Sequence, residues 1–233
     1  MYKLLLPFFM LGSIMTVAGS PLAPCGSATL DSYIANSTFP GGGCAIGILD
    51  YYTFSYHAVS NAPADTDILV TPSGQGFSFT RADGQPFIAA AGQIVKFEID
   101  YNILIDPAPV LGGGDLSLDP PSGNVVVTEY YCNDSIYVYT GTCFGSTVNT
   151  LSVGTLPPFS LTASITFPDP AQRFQATGIL FTLDGTNGPS QFDGLESTLT
   201  VLDAVPEPRT TLLMSLLLLA GGYKLRKQRW RRV

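Results

Sequence analysis

The sequence predicts an all-β fold, a β-sandwich or jelly-roll-like domain, carried between an apolar leader and an apolar carboxyl-terminal segment. Three observations carry that prediction. The body is rich in Gly, Pro, Ser and Thr with strand formers between them, short runs alternate apolar and polar residues, and no stretch keeps a long helical period.

The expected strands follow in order. Residues 51–56, 68–71 and 76–80 come first, separated by Pro72-Ser73-Gly74 and followed by Ala82-Asp83-Gly84. Such sequences supply the preset φ and the positive φ that tight reversals need. Residues 94–105 alternate for most of their length. Val95, Phe97, Ile99, Tyr101 and Ile103 form the apolar face, and Ile94, Lys96, Glu98, Asp100 and Asn102 the other. That apolar face predicts a central core strand. Further strands are expected at 115–118, 125–131, 136–139, 148–153, 160–167, 174–183 and 197–202. One departure from β structure is expected at residues 28–35, where a single helical turn fits, with Ser27 or Asp31 as its cap.

The front end has the order of a secretory signal peptide. Lys3 precedes an apolar run through Leu11, and the small residues Ala18, Gly19 and Ser20 follow. Residues 1–18 are read as the signal peptide, with cleavage after Ala18. Lipidation of Cys25 is the alternative, and Pro24 directly before it fits that poorly. The exported domain is residues 19–203, long enough for one domain with a sizeable core.

This body holds three basic residues, Arg81, Lys96 and Arg173, against seventeen acidic ones, a balance of about −14. Such a charge argues against nucleic acid as a partner and disfavours anionic membrane surfaces. Cys25, Cys44, Cys132 and Cys143 are an even set behind an export signal, which predicts disulfides. Of three possible connectivities, Cys25–Cys44 with Cys132–Cys143 is favoured because both close short loops. Zinc is the competing account, but no pair has ligand spacing and His57 is the only histidine.

Residues 204–233 carry the address. Val205-Pro206-Glu207-Pro208 precede an uncharged run between Arg209 and Lys224, and a tail holds Lys224, Arg226, Lys227, Arg229, Arg231 and Arg232. The run is apolar all round, as a membrane helix is. Its fourteen residues give about 21 Å of helix against a hydrocarbon core of roughly 30 Å, so the basic side chains must reach to the headgroups. By the positive-inside rule the tail stays cytoplasmic and the body lies outside.

This order of motif, short apolar helix and arginine-rich end resembles the PEP-CTERM sorting signal of Gram-negative bacteria, read by exosortase. The resemblance covers the last thirty or so residues. It implies that Pro206, Glu207 and Pro208 are recognised by exosortase, that helix and tail anchor a precursor in the membrane before removal, and that the body reaches the cell surface or extracellular matrix. Arg209 departs from the small or hydroxyl residue usual there. The two prolines forbid helix continuation and hold the motif extended, as a protease-like cleft requires.

Chemistry is sparse in the body. Any Ser–His or Cys–His device must use His57, which falls on an expected strand where packing is the simpler role. Glu98, Asp100, Glu129 and Asp134 are the carboxylates a glycosidase would draw on, and sequence does not give their separation. Asp65-Thr66-Asp67, residues 115–119 and Asp184-Gly185-Thr186-Asn187 are oxygen-rich loops of the kind calcium uses, without the EF-hand pattern. Tyr130, Tyr131, Tyr137 and Tyr139 offer flat faces to sugar rings, and core pairing explains them equally well. The reading that emerges is a non-enzymatic surface or matrix protein with a structural or adhesive role, needing neither metal nor cofactor. A carbohydrate-binding module that meets extracellular polysaccharide is the alternative, and a secreted hydrolase stands behind it.

Overall fold

The computed structural model describes residues 22–37, 42–105, 110–132, 136–137, 142–143, 147–167 and 174–202. The signal peptide, the sorting motif and the basic tail lie outside the described residues, as do Asp134 and Tyr139. Among the described residues no helix is long and apolar enough to cross a membrane.

The first half of the chain gives β1 (Ala28–Thr29), α1 (Leu30–Asn36), β2 (Cys44–Ile46), β3 (Leu49–Ser60), β4 (Ile68–Ser73), β5 (Gly76–Arg81), β6 (Phe87–Ala89), β7 (Ile94–Ile105) and β8 (Val110–Leu118). The second half gives β9 (Asn124–Cys132), β10 (Ile136–Tyr137), β11 (Thr142–Cys143), β12 (Thr147–Gly154), β13 (Thr162–Thr166), β14 (Phe174–Asp184), β15 (Ser190–Phe192) and β16 (Gly194–Leu202). Each expected strand is present in some part. The additional ones are mostly two or three residues long, too short to show a period.

Two six-stranded sheets form a sandwich-like arrangement. The front sheet has the order β12-β9-β14-β7-β3-β2 and the back sheet β1-β4-β5-β16-β8-β13. Neighbouring strands pair antiparallel throughout both. Gly74 (φ 55°) and Gly84 (φ 70°) adopt left-handed conformations at the two turns read from sequence.

The core lies between the sheets. Val95, Phe97, Ile99, Tyr101 and Ile103 of β7 are all buried, as their alternation predicts. Phe97 stacks on Phe181 of β14 at 4.4 Å between centroids. The small β6–β15 pair adds Phe87 and Phe192, which stack at 4.8 Å. Burying each such ring contributes roughly 1.5–3 kcal/mol. On the opposite face of β7, Glu98 is fully buried.

Disulfides join Cys25 to Cys44 and Cys132 to Cys143. Two disulfides fit an extracellular or periplasmic compartment. The first ties the amino-terminal segment to β2 beside α1. This helix occupies the expected place, but Thr29 stands at its N-cap without a side-chain bond to the backbone, in place of Ser27 or Asp31. The Thr29 and Ser32 hydroxyls bond each other at 3.0 Å instead.

Candidate functional site

The polar residues singled out in the sequence are distributed over three places. The first is the outer face of the front sheet. Across neighbouring strands, His57 lies opposite Glu98, Glu98 opposite Leu180, and Leu180 opposite Thr128. One row along, Ser55, Asp100, Gly178 and Tyr130 follow one another.

A local irregularity brings Ser55 and His57 to that face. Leu49 and Tyr51 point into the core, and strict alternation would send residues 53, 55 and 57 inward too. A bulge between Tyr52 and Ser55 shifts the parity, so Phe54 points inward and Ser55 outward. Thr53 takes φ 52° there, a conformation that costs a β-branched residue free energy. Ser37, at the end of α1, holds it in place. Its carbonyl accepts from Thr53 N at 2.8 Å and its Oγ from Phe54 N at 2.8 Å.

In the resulting cluster, Ser55 Oγ donates to Asp100 Oδ2 at 3.2 Å, and His57 Nε2 faces the same oxygen at 3.2 Å. Burial raises the Asp100 carboxyl above its ordinary range, and the charge of Glu98 and a hydrogen bond to it add to the shift. Burial lowers the His57 imidazole, while Glu98 pulls it back up. Tyr130 is raised by burial first and by Glu98 second. Chemically this is a pair of hydrogen-bonded carboxyls in which Asp100 is pushed toward its neutral form. The Ser55 hydroxyl is directed at the carboxylate and not at the imidazole, so the order of a nucleophile–base–acid relay is missing. Two hydrogen-bonded carboxyls are also closer than the roughly 5 Å or more that glycoside hydrolysis uses.

The second place is the core itself. Glu129 is fully buried there, on the inner face of β9, so it cannot join Glu98 and Asp100. Ser197 Oγ donates to Glu129 Oε1 at 2.7 Å. Burial pushes this carboxyl up to about 7, against the opposing pull of the Ser197 and Tyr131 hydroxyls. Tyr131 is buried as well and packs edge-on against Phe167 at 5.0 Å. The four-tyrosine sugar platform is therefore corrected: Tyr131 belongs to the core and Tyr130 to the outer face.

The third place, the outer face of the back sheet, was not singled out as a surface. Asp115 and Ser117 of β8, Thr162 and Ser164 of β13, and Glu196 and Thr198 of β16 line a groove of about 290 Å³ there. Strand register sets them in rows, with Thr162, Ser117 and Glu196 in one and Ser164, Asp115 and Thr198 in the next. Thr200 Oγ1 donates to Asp115 Oδ2 at 3.3 Å, and Ser73 Oγ donates to Glu196. Among the described residues no aromatic or basic side chain lines the groove. The sequence signal was present as polar residues alternating along 162–166 and 196–200, but only the pairing of strands joins them.

The oxygen-rich loops bond their own backbone. Asp65 Oδ1 accepts from Thr66 N and Asp184 Oδ1 from Thr186 N, each at 2.9 Å. Asp115 lies on a strand. Among the described residues no group of three or more His, Cys, Asp or Glu is placed to hold a metal.

No protein-family model matches the chain, and no curated protein matches it. Among solved structures it is similar to TmCBM61, determined in complex with β-1,4-galactotriose. The identity is 10%, the match covers 64% of this chain and 88% of that one, and the TM-score is 0.36. It is also similar to the enzymatically active domain of tailspike protein 4 of bacteriophage CBA120. There the identity is 9%, the coverage 63% of this chain and 19% of that one, and the TM-score 0.29. At these scores neither likeness bears on what this chain does.

Proposed function

We propose that this protein is an exported, non-enzymatic component of the cell surface or extracellular matrix that adheres to extracellular polysaccharide through the groove on its back sheet. The observation that supports this reading is the lining of that groove. Hydroxyls of Ser117, Thr162, Ser164 and Thr198 alternate with the carboxylates of Asp115 and Glu196 over about 290 Å³. Hydroxyls donate and accept, and each carboxylate can accept from two sugar hydroxyls at once. With acidic groups and, among the described residues, no base in the groove, neutral glycans fit and polyanionic ones are repelled. At the Glu98 and Asp100 pair the Ser55 hydroxyl is directed at a carboxyl oxygen and not at a base, which favours adhesion over turnover.

Delivery belongs to the same proposal. Residues 1–18 direct export, exosortase reads Pro206-Glu207-Pro208, and the apolar run with its basic tail holds the precursor in the inner membrane of a Gram-negative bacterium. The two disulfides, Cys25–Cys44 and Cys132–Cys143, suit the destination.

A glycan array with the full chain tests the adhesive reading. The expected result is saturable retention by neutral polysaccharide that falls about tenfold or more in the Asp115→Asn, Glu196→Gln variant. Equal retention by that variant, or retention of no glycan, overturns it. Turnover of a retained glycan, abolished by Asp100→Asn, would replace adhesion with hydrolysis.

A further inference from the structure

A β-sandwich has four edge strands, and here they are not equally protected. The edge β1 is two residues long and runs straight into α1. Edge β2 is covered by the amino-terminal segment, with Cys25 N donating to the Ala45 carbonyl at 3.0 Å and Ala45 N to the Ala23 carbonyl at 2.9 Å. At the other side of the sandwich, β12 carries a bulge between Thr147 and Asn149, and its Gly154 N–H is taken by the Ser160 carbonyl at 2.9 Å. Short length, cover and bulges are the usual devices against edge-to-edge pairing.

Among the described residues, strand β13 has none of them. Its five residues, Thr-Ala-Ser-Ile-Thr, pair with β8 without a bulge and contain neither proline nor charge. Leu118 N donates to the Leu161 carbonyl and Phe167 N to the Gly112 carbonyl, so residues 161, 163, 165 and 167 turn their backbone groups toward β8. By the alternation of an antiparallel ladder, Thr162, Ser164 and Thr166 turn theirs outward. Among the described residues no strand pairs with that outward side. On that side the Ser160 hydroxyl donates to the Thr162 carbonyl.

Two independent features say what fits this edge. From Ser135 through Pro168 the sequence has no charged residue, in a body of about −14 that elsewhere repels its own copies. Beside the edge, Leu156, Phe159 and Leu161 are 46%, 38% and 41% exposed, large apolar side chains gathered in one connection.

We infer that β13 pairs antiparallel with β13 of a second copy, forming a twofold dimer whose back sheets run together as one continuous sheet. Ser164 faces its own counterpart across the axis and Thr162 faces the copy's Thr166, which uses every outward group of the strand. The opposite side of each sandwich is protected, so assembly closes at two copies. The dimer sets both grooves on one surface, where a long polysaccharide engages them together.

Sedimentation velocity and oxidative cross-linking of the full chain in mild detergent test this. The expected result is a dimer at tens of micromolar. Ser164→Pro deletes an outward N–H and leaves the β8 ladder intact, and weakens the dimer by on the order of tenfold or more. If that variant fails to fold, Ser164→Lys takes its place. Ser164→Cys forms a disulfide-linked dimer, because opposed residues in a ladder lie about 5.5 Å apart at Cα. Thr71→Cys, on β4 away from the edge, serves as the control. A monomer at 100 µM (about a hundredfold above a micromolar Kd), or cross-linking of Ser164→Cys no greater than of Thr71→Cys, overturns the inference. So does a dimer that persists in both Ser164→Pro and Ser164→Lys. Glycan retention unchanged in the groove variant, with the dimer intact, would sink the adhesive reading alone.

Discussion

Ser197 and Glu129 join the two sheets from inside the core: the hydroxyl of one, on β16 of the back sheet, donates to the carboxyl of the other, on β9 of the front sheet. Tyr51 adds a parallel tie, its hydroxyl donating to the Gln75 carbonyl at 2.7 Å. Such surroundings push the Glu129 carboxyl above its ordinary range, because ionising a buried carboxyl costs several kcal/mol.

Stability should therefore fall with rising pH. Glu129 is raised in the folded state to about 7 from an ordinary 4.5. Its contribution is fully present below the unfolded value and is lost as pH rises through about 7. The loss is on the order of 3 kcal/mol. Asp100, raised by burial, acts in the same direction. Urea unfolding between pH 4 and pH 8 measures the slope, and Glu129→Gln should flatten much of it. A wild-type chain equally stable at both ends of that range would refute the assignment.

Gly114 lies under the Tyr131 ring, where an added Cβ would sit 2.7 Å from Cζ and closer still to the hydroxyl. Gly114→Ala should cost about 1–3 kcal/mol through overpacking of the closed core. Tyr131→Phe in the same chain should recover part of that by removing the nearest atom. A double-mutant cycle in urea measures the coupling, and additivity of the two changes would contradict the contact.

Ser37→Ala removes the acceptor of the buried Phe54 N–H and frees the bulge at Thr53. The expected loss is about 1–3 kcal/mol. Because the bulge decides which face Ser55 and His57 occupy, the His57 imidazole should also move back toward its ordinary titration range. NMR titration of the single histidine reads this directly. An unmoved histidine in a destabilised variant would separate the bulge from the cluster.

Processing is visible by mass. If exosortase releases the body, protein recovered from the cell surface lacks Trp230 and the residues Lys224, Arg226, Lys227, Arg229, Arg231 and Arg232. A Pro206→Ala, Glu207→Ala variant should accumulate in the membrane at full tail length. Intact-mass spectrometry of both fractions checks it, and surface protein that keeps Trp230 would rule out cleavage.

Breaking Cys25–Cys44 by Cys→Ser substitution at both positions should cost about 3 kcal/mol, given its sequence separation of 19. It also loosens the cover over the β2 edge. Thermal unfolding measures the first effect, and sedimentation measures any new self-association at that edge. An unchanged melting temperature would contradict it.

The all-β class, the core face of β7, the place of the short helix and the disulfide pairing were legible along the chain. Each depends on period, composition or loop length, which are properties of neighbours in sequence. The burial of Glu98, the outward turn of Ser55 and His57, the inward turn of Glu129 and Tyr131, and the hydroxyl rows of the back sheet were decided by tertiary structure. A bulge of one residue reverses which face every later side chain occupies, and a row across a sheet is made by strands far apart in the chain. Register and parity are fixed by packing between sheets, and a linear pattern carries neither.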